Sequence, residues 1–314
     1  MKISVIIPCF NEASSLPVLY TRLSESFRQI SAEREIIFVD DGSTDETLSI
    51  IKDFAKTDKT VNYISLSRNF GKESAIYAGL CGAAGDYVAV MDADLQDPPE
   101  LLPKMAEILD GGEYDIVAAR RISRKGEPFF RSLFAKIFYK ILNSISDTEI
   151  SDGARDYRMM TRKPLEAVKS VSEKNRFSKG VFSWIGFKTF WLSFENNERI
   201  GGKTKWSFKK LLKYGIEGIV NFSDAPLNLA SFTGFFATFF SFFALLFIII
   251  RKLIFDDPVA GWASTVCIII FLGGLQLLSL GIIGKYLAKT YSETKNRPIY
   301  IVKDTNFESV DPMG

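Results

Sequence analysis

Acidic residues gather at two places where short apolar runs end. Val39-Asp40-Asp41-Gly42-Ser43 closes one run, and Met91-Asp92-Ala93-Asp94-Leu95-Gln96-Asp97-Pro98-Pro99 closes another. Two carboxylates one residue apart, on a backbone turning into a loop, can hold a hard divalent cation through oxygen ligands, and the cation can bridge a diphosphate. An isolated Asp-x-Asp is usually a solvated turn. Here it follows an apolar run, in step with Asp40-Asp41, which favours a built site. The chain has no histidine, which excludes His-based acid–base chemistry, Ser-His-Asp triads and His metal sites. Cys9, Cys81 and Cys267 are too widely spaced for a zinc pattern or a disulfide framework and read as thiols in a reducing compartment. Chemistry is left to carboxylates, amines, hydroxyls or an oxygen-held metal. Two familiar phosphate sites are missing: no G-x-G-x-x-G follows the first strand, and Gly71-Lys72 lacks the upstream glycine of a P-loop.

Positioning these residues requires a sheet. β-Branched runs at Ile3–Ile7, Glu35–Asp40, Val61–Ser65, Tyr87–Met91 and Asp115–Ala119 alternate with helical patterns near Ser14–Gln29, Thr44–Lys56, Lys72–Ala83 and Glu100–Leu109. Such alternation predicts an α/β domain with a mostly parallel, Rossmann-like sheet covered by helices. In open sheets of this kind ligands bind beyond the carboxyl ends of the strands, where both acidic clusters fall. Met1-Lys2 runs straight into the first strand, so no secretory signal is expected. Lys and Arg total 39 against 37 Asp and Glu, and a net charge of +2 without a basic stripe gives no reason to expect a nucleic-acid partner.

Beyond residue 224 the composition changes. Ala225–Ile250 and Pro258–Gly284 contain no charged residue, and each exceeds the ~20 apolar residues that cross a bilayer core. The sequence therefore predicts a catalytic domain over 1–224, a transmembrane hairpin over 225–290 with spans at about 227–250 and 259–283, and a tail over 291–314. Lys209, Lys210 and Lys213 precede the first span and Lys285, Lys289, Lys295 and Arg297 follow the second, which predicts a cytoplasmic catalytic domain on the inner face of the cell membrane. Segments 128–145 and 207–221 are basic and amphipathic, as suits helices that cover the sheet or lie in the lipid interface. Gly273-Gly274, Gly281 and Gly284 allow close helix packing, either within one hairpin or between copies in a homo-oligomer.

Taken together, Ile6-Ile7-Pro8-Cys9-Phe10-Asn11-Glu12, Val39–Asp45, Arg68-Asn69-Phe70-Gly71-Lys72, Met91–Glu100, Gly153–Met160, Arg199–Trp206 and Arg297-Pro298-Ile299-Tyr300 resemble the family 2 glycosyltransferases with a GT-A fold. Within that group the chain looks like the polyprenyl-phosphate glycosyltransferases, relatives of dolichyl-phosphate mannose synthase and of bacterial bactoprenol glucosyltransferases. The resemblance implies that Pro8, Glu12, Asp41, Lys72 and Asp92 bind the nucleotide, and that Asp92, Asp94 and Gln96 hold Mg2+ or Mn2+. It implies that Arg120, Arg131, Arg199 and Lys205 face phosphates, with Arg121 and Arg124 competing for the place of Arg120. Asp156, Asp94 and Arg131 are the implied catalytic residues. Asp156 corresponds to a carboxylate often taken as a base, but a phosphate monoester, with a second pKa near 6, has little proton to lose at neutral pH. Orienting sugar hydroxyls or arginines is the alternative role. The implied reaction is an inverting transfer of a hexose, from UDP-glucose or UDP-N-acetylglucosamine, to undecaprenyl phosphate. A processive polysaccharide synthase would usually carry Q-x-x-R-W and more spans, which this chain lacks. A non-catalytic nucleotide-sugar-binding scaffold is disfavoured by the intact Asp92, Asp94 and Gln96.

Overall fold

A computed structural model describes residues 1–121, 154–174, 176–194, 225–255 and 261–307. The amphipathic segments 128–145 and 207–221 lie outside the described residues. The chain divides into two units, Met1–Gly218 with Arg297–Gly314, and Ile219–Asn296.

The first unit is built on one eight-stranded sheet in the order β7-β5-β6-β4-β1-β2-β3-β8. Its strands are β1 (Lys2–Cys9), β2 (Glu33–Asp40), β3 (Val61–Leu66), β4 (Tyr87–Val90), β5 (Ile116–Arg121), β6 (Ala154–Thr161), β7 (Thr189–Phe194) and β8 (Val302–Thr305). Helices α1 (Leu16–Phe27), α2 (Thr47–Thr57), α3 (Lys72–Gly82), α4 (Leu102–Asp110), α5 (Arg162–Ser170) and α6 (Ser178–Trp184) connect them. The pairs β1–β2, β1–β4, β2–β3 and β5–β7 are parallel, while β6 runs antiparallel to both β4 and β5. Ile3, Val5, Ile6 and Ile7 are all fully buried, as expected of a central strand covered on both faces. The sheet is thus mostly parallel, as the sequence pattern predicts.

Register sets the site. Parallel pairing puts Cys9 beside Asp40, so the end of β1 and the Asp40-Asp41 turn emerge together. On the other side, Val90 of β4 pairs with Arg158 of β6. Because these strands run in opposite directions, two further steps along each bring Asp92 opposite Asp156.

The segment expected as a tail over 291–314 is in part sheet, since β8 lies antiparallel along β3 at the sheet edge. With two charges in four residues it carries little apolar signal, which suits an edge strand.

The second unit contains α7 (Ala225–Phe255) and α8 (Trp262–Thr294). Pro226–Ala244 and Phe271–Thr294 are long and apolar enough to cross a membrane, and neither window is buried within the fold. Phe235 is 64% exposed and Phe271 70%, so both helices carry large apolar side chains that the chain itself leaves uncovered.

Gly42 makes the turn after Asp41 with φ +68, and a Cβ there would lie 2.5 Å from the backbone carbon of Arg68. Gly112 shares the conformation (φ +69), with nothing within 4 Å of a Cβ. Gly112→Ala is therefore expected to cost about 1–2 kcal/mol from backbone strain alone, and Gly42→Ala a further ~1–3 kcal/mol from overpacking. Thermal unfolding of the detergent-solubilised chain checks the order.

Candidate active site

The loop after β4 is held in an unusual shape. Leu95 adopts φ 62, a left-handed conformation costly for a bulky residue, and its side chain is buried. The Gln96 amide donates to Asp94 Oδ1 at 3.2 Å, a local turn of the Asx kind. Asp97, fully buried, staples the loop: one oxygen accepts the Asp92 amide at 3.1 Å and the other accepts Arg155 Nε at 2.9 Å. The terminal nitrogens of Arg155 donate to Gln96 Oε1 at 3.2 and 3.1 Å. Burial, then the charge of Asp92, pushes the Asp97 carboxyl up to about 6, with Arg155 pulling the other way.

Lys72, the first residue of α3, reaches across the sheet end. Its ammonium lies 2.6 Å from Asp92 Oδ1 and donates to Asp156 Oδ2 at 2.5 Å. The Lys72 side chain is 41% exposed, and its ammonium contacts both carboxylates. Burial opposes that charge, yet Asp156 and Asp92 hold the lysine well above its usual pKa. Burial would also raise the Asp156 carboxyl, but Lys72, Lys179 and Arg158 hold it well below the usual carboxylate range. A carboxylate so stabilised is a weak proton acceptor. Behind it, Arg158 is 4% exposed and lies 3.9 Å over the Phe182 ring. Burial lowers Arg158 to about 10 against the pull of Asp156 and Glu73. Glu73 in turn accepts the Ser178 amide at 3.0 Å and its hydroxyl, tying α6 to the start of α3.

The neighbouring strand ends form a second rim. Asn11, at φ 55, accepts the Thr44 amide at 2.9 Å and donates its own amide to Ser43 Oγ at 3.0 Å. The Glu12 amide donates to Thr47 Oγ1 at 2.8 Å. Asp41 accepts the Phe70 and Gly71 amides at 2.7 and 2.9 Å, so it anchors the loop that delivers Lys72. Burial raises the Asp41 carboxyl, and these two amides oppose the shift.

Lys72, Asp92 and Asp156 are thus in direct contact, with Asp94 and Gln96 on the same loop. Pro8, Glu12 and Asp41 lie on the adjoining rim. Arg120 is exposed on β5, and Arg131, Arg199 and Lys205 lie outside the described residues. Sequence reasoning passed over Arg155, Asp97, Glu73, Arg158 and Ser178. Arg155 stood next to Asp156 in a quoted motif and Asp97 inside another, but neither reveals its partner in sequence.

Among the described residues no group of three or more His, Cys, Asp or Glu side chains forms a complete metal site. Two carboxylates completed by substrate phosphate oxygens are what a Mg2+-type site requires. Asp92 Oδ1 fits that use: it is buried, outside any well-directed hydrogen bond, and already faces a cation in Lys72. Gln96 Oε1, by contrast, is engaged by Arg155.

The family model described as glycosyl transferase family 2 matches residues 4–169, from β1 through most of α5. The chain belongs to glycosyl transferase family 2. CsbB of Bacillus subtilis (strain 168), whose name assigns it provisionally to the glycosyltransferases, is 44% identical over 98% of this chain and 93% of its own length. The bactoprenol glucosyl transferase of Shigella phage SfII is 40% identical over 98% of this chain and 99% of its own. Among solved structures, glucosyl-3-phosphoglycerate synthase from Mycobacterium tuberculosis, in complex with Mn2+, UDP and phosphoglyceric acid, is 18% identical with a TM-score of 0.48, covering 70% of this chain and 76% of that one.

In this family 2 glycosyltransferase, Arg155→Ala would leave Asp97 buried without its cation, an expected cost of about 3 kcal/mol. The native Asp97 already binds its proton more tightly than an unfolded aspartate, so protonation favours the folded state as pH falls through about 6. Without Arg155, which pulls the carboxyl down, Asp97 would bind its proton more tightly still, so the variant gains more on acidification than the wild type and the stability gap should narrow between pH 7 and pH 5. Thermal unfolding across that range measures it.

Proposed function

We propose that the chain transfers a hexose from a nucleotide sugar, glucose from UDP-glucose as the leading reading and N-acetylglucosamine from UDP-N-acetylglucosamine the alternative, to a polyprenyl phosphate. The observation that carries this reading is 40% identity with bactoprenol glucosyl transferases along nearly the whole of both chains, apolar C-terminal helices included. A carrier lipid keeps its tail in the bilayer and its phosphate at the surface, so an enzyme using it belongs where membrane and cytosol meet. The Lys and Arg flanking the two uncharged stretches favour a cytoplasmic catalytic unit at the inner membrane, anchored by two spans.

Asp92 and Asp94 would hold Mg2+ or Mn2+, with Gln96 joining them once its amide oxygen leaves Arg155. When bound, the cation supplies charge stabilisation to the departing nucleoside diphosphate. Lys72 offers a second positive group at the same edge. Pro8, Glu12 and Asp41 face the base and ribose, while Arg120, Arg131, Arg199 and Lys205 receive the sugar diphosphate and the acceptor phosphate. The acceptor oxygen is already anionic at neutral pH, so it attacks the anomeric carbon without a base, and in-line attack inverts the configuration. Asp156, held ionised by Lys72, orients groups around the sugar.

Purified enzyme with polyprenyl phosphate, Mg2+ or Mn2+ and a panel of labelled nucleotide sugars is expected to give one lipid-linked hexose of inverted configuration, and EDTA should abolish it. A polymer would favour a processive synthase, and no product a binding scaffold. Asp156→Asn should keep turnover within about tenfold of wild type while shifting KM. Loss of turnover beyond about a thousandfold with KM unchanged would restore Asp156 as an obligatory base.

A further inference from the structure

A few residues after α8 the chain returns to the sheet. Ile299 is buried and Tyr300 completely so. The Tyr300 ring meets Tyr77 edge-on with centroids 6.2 Å apart, and its hydroxyl lies beside the Cys81 thiol. Tyr77 and Cys81 are four residues apart on α3, so Tyr300 is seated against one face of the helix that begins with Lys72 and Glu73. That face is braced further: the Tyr77 hydroxyl donates to the Lys169 carbonyl at 3.0 Å, and the Arg176 guanidinium lies 4.2 Å over the Tyr77 ring.

On another face α3 sits so close to the sheet that a Cβ on Gly79 would lie 2.3 Å from Ile6. Sheet and Tyr300 together therefore fix where the helix lies. An 11-residue helix has little stability of its own and takes its position from such packing.

The same segment borders the loop before α3. The Ser67 amide donates to the Ile301 carbonyl at 2.9 Å, immediately ahead of Arg68-Asn69-Phe70-Gly71, whose last two amides are held by Asp41. Further along, β8 is secured to β3 and α2. Lys52 pairs with Asp304 at 2.5 Å, Asn306 Oδ1 accepts the Tyr63 amide at 2.7 Å, and Asn306 Nδ2 donates to the Val61 carbonyl at 3.1 Å.

We propose that Tyr300 is a positioning residue of the donor site: packed on α3 beside the 67–71 loop, it fixes the helix start from which Lys72 reaches Asp92 and Asp156. The proposal rests on the assignment of Lys72 and Asp41 to the donor site. Tyr300 touches no substrate. It acts by holding the Lys72 ammonium where the donor diphosphate is bound, so its loss weakens donor binding more than it slows turnover.

The test compares Tyr300→Ala and Tyr300→Phe with wild type in the full-length, detergent-solubilised enzyme. Hydrogen exchange of residues 68–76 is read without substrate, and donor KM and kcat are read in the polyprenyl-phosphate assay. Tyr300→Ala is expected to speed exchange at 68–76 about tenfold and to raise donor KM at least about fivefold, with kcat within about threefold. Tyr300→Phe, which keeps the ring, should match wild type in both. Faster exchange confined to 297–306 in Tyr300→Ala, with donor KM unchanged, would overturn the proposal.

Should Tyr300→Ala fail to fold, Asn306→Ala loosens the same strand from its far end and should give a smaller change of the same pattern. Loosened 302–306 with 68–76 and KM untouched would overturn it equally. A wild-type chain inactive on polyprenyl phosphate would count against the acceptor assignment alone, because the exchange measurement needs no substrate.

Discussion

Carboxylates brought to one edge of a sheet repel one another, and the cleft of this protein depends on Lys72 lying between two of them. At an effective dielectric of ~20, two unit charges about 4 Å apart interact by roughly 4 kcal/mol. An unbridged Asp92 and Asp156 would therefore push the β4 loop and β6 apart. Bridging cations are used again one layer away, where Arg155 joins Asp97 to Gln96. The buried Arg158 beneath them is drawn to both Asp156 and Glu73. The acidic cluster that suits a divalent cation is thus assembled by fixed internal cations, which keep the edge intact before any ligand arrives.

The reversal of β6 is what makes this meeting possible. Asp92 comes from the exit of β4 and Asp156 from the entry of β6, and opposite strand directions bring an exit and an entry to the same sheet edge. Gly71 at φ 101 then starts α3 so that its first side chain, Lys72, projects over that edge. Strand register and one helix start account for most of the cleft.

That division explains what could be read from the sequence. β1 through β5 and α1 through α4 were legible because central parallel strands are continuous apolar runs and their covering helices are periodic. β6 was not, since Ala154-Arg-Asp-Tyr-Arg-Met-Met-Thr161 carries three charges in its first five residues, placed there by the site. β8 was hidden for a different reason: Val302-Lys-Asp-Thr305 is a short charged edge strand. Asp92, Asp94 and Asp156 could be named from motifs, whereas the pairing of Arg155 with Gln96 spans 59 residues and follows only from the fold.

Asp41 shows why the residues of such a site resist a one-role description. Its two oxygens hold the Phe70 and Gly71 amides, and those amides begin the segment that carries Lys72. A carboxylate oxygen has a second lone pair, so the same group can still accept from a ribose or base while it holds the loop. Replacing Asp41 would then remove a nucleotide contact and also release the loop that aims Lys72, two losses that a single activity measurement merges. Pro8 contributes no such tie, because it sits within β1 paired with Val39 and has no amide proton to give. The two rims of the cleft are therefore coupled through the 68–72 segment, and any displacement of that segment reaches the nucleotide side and the acidic cluster together.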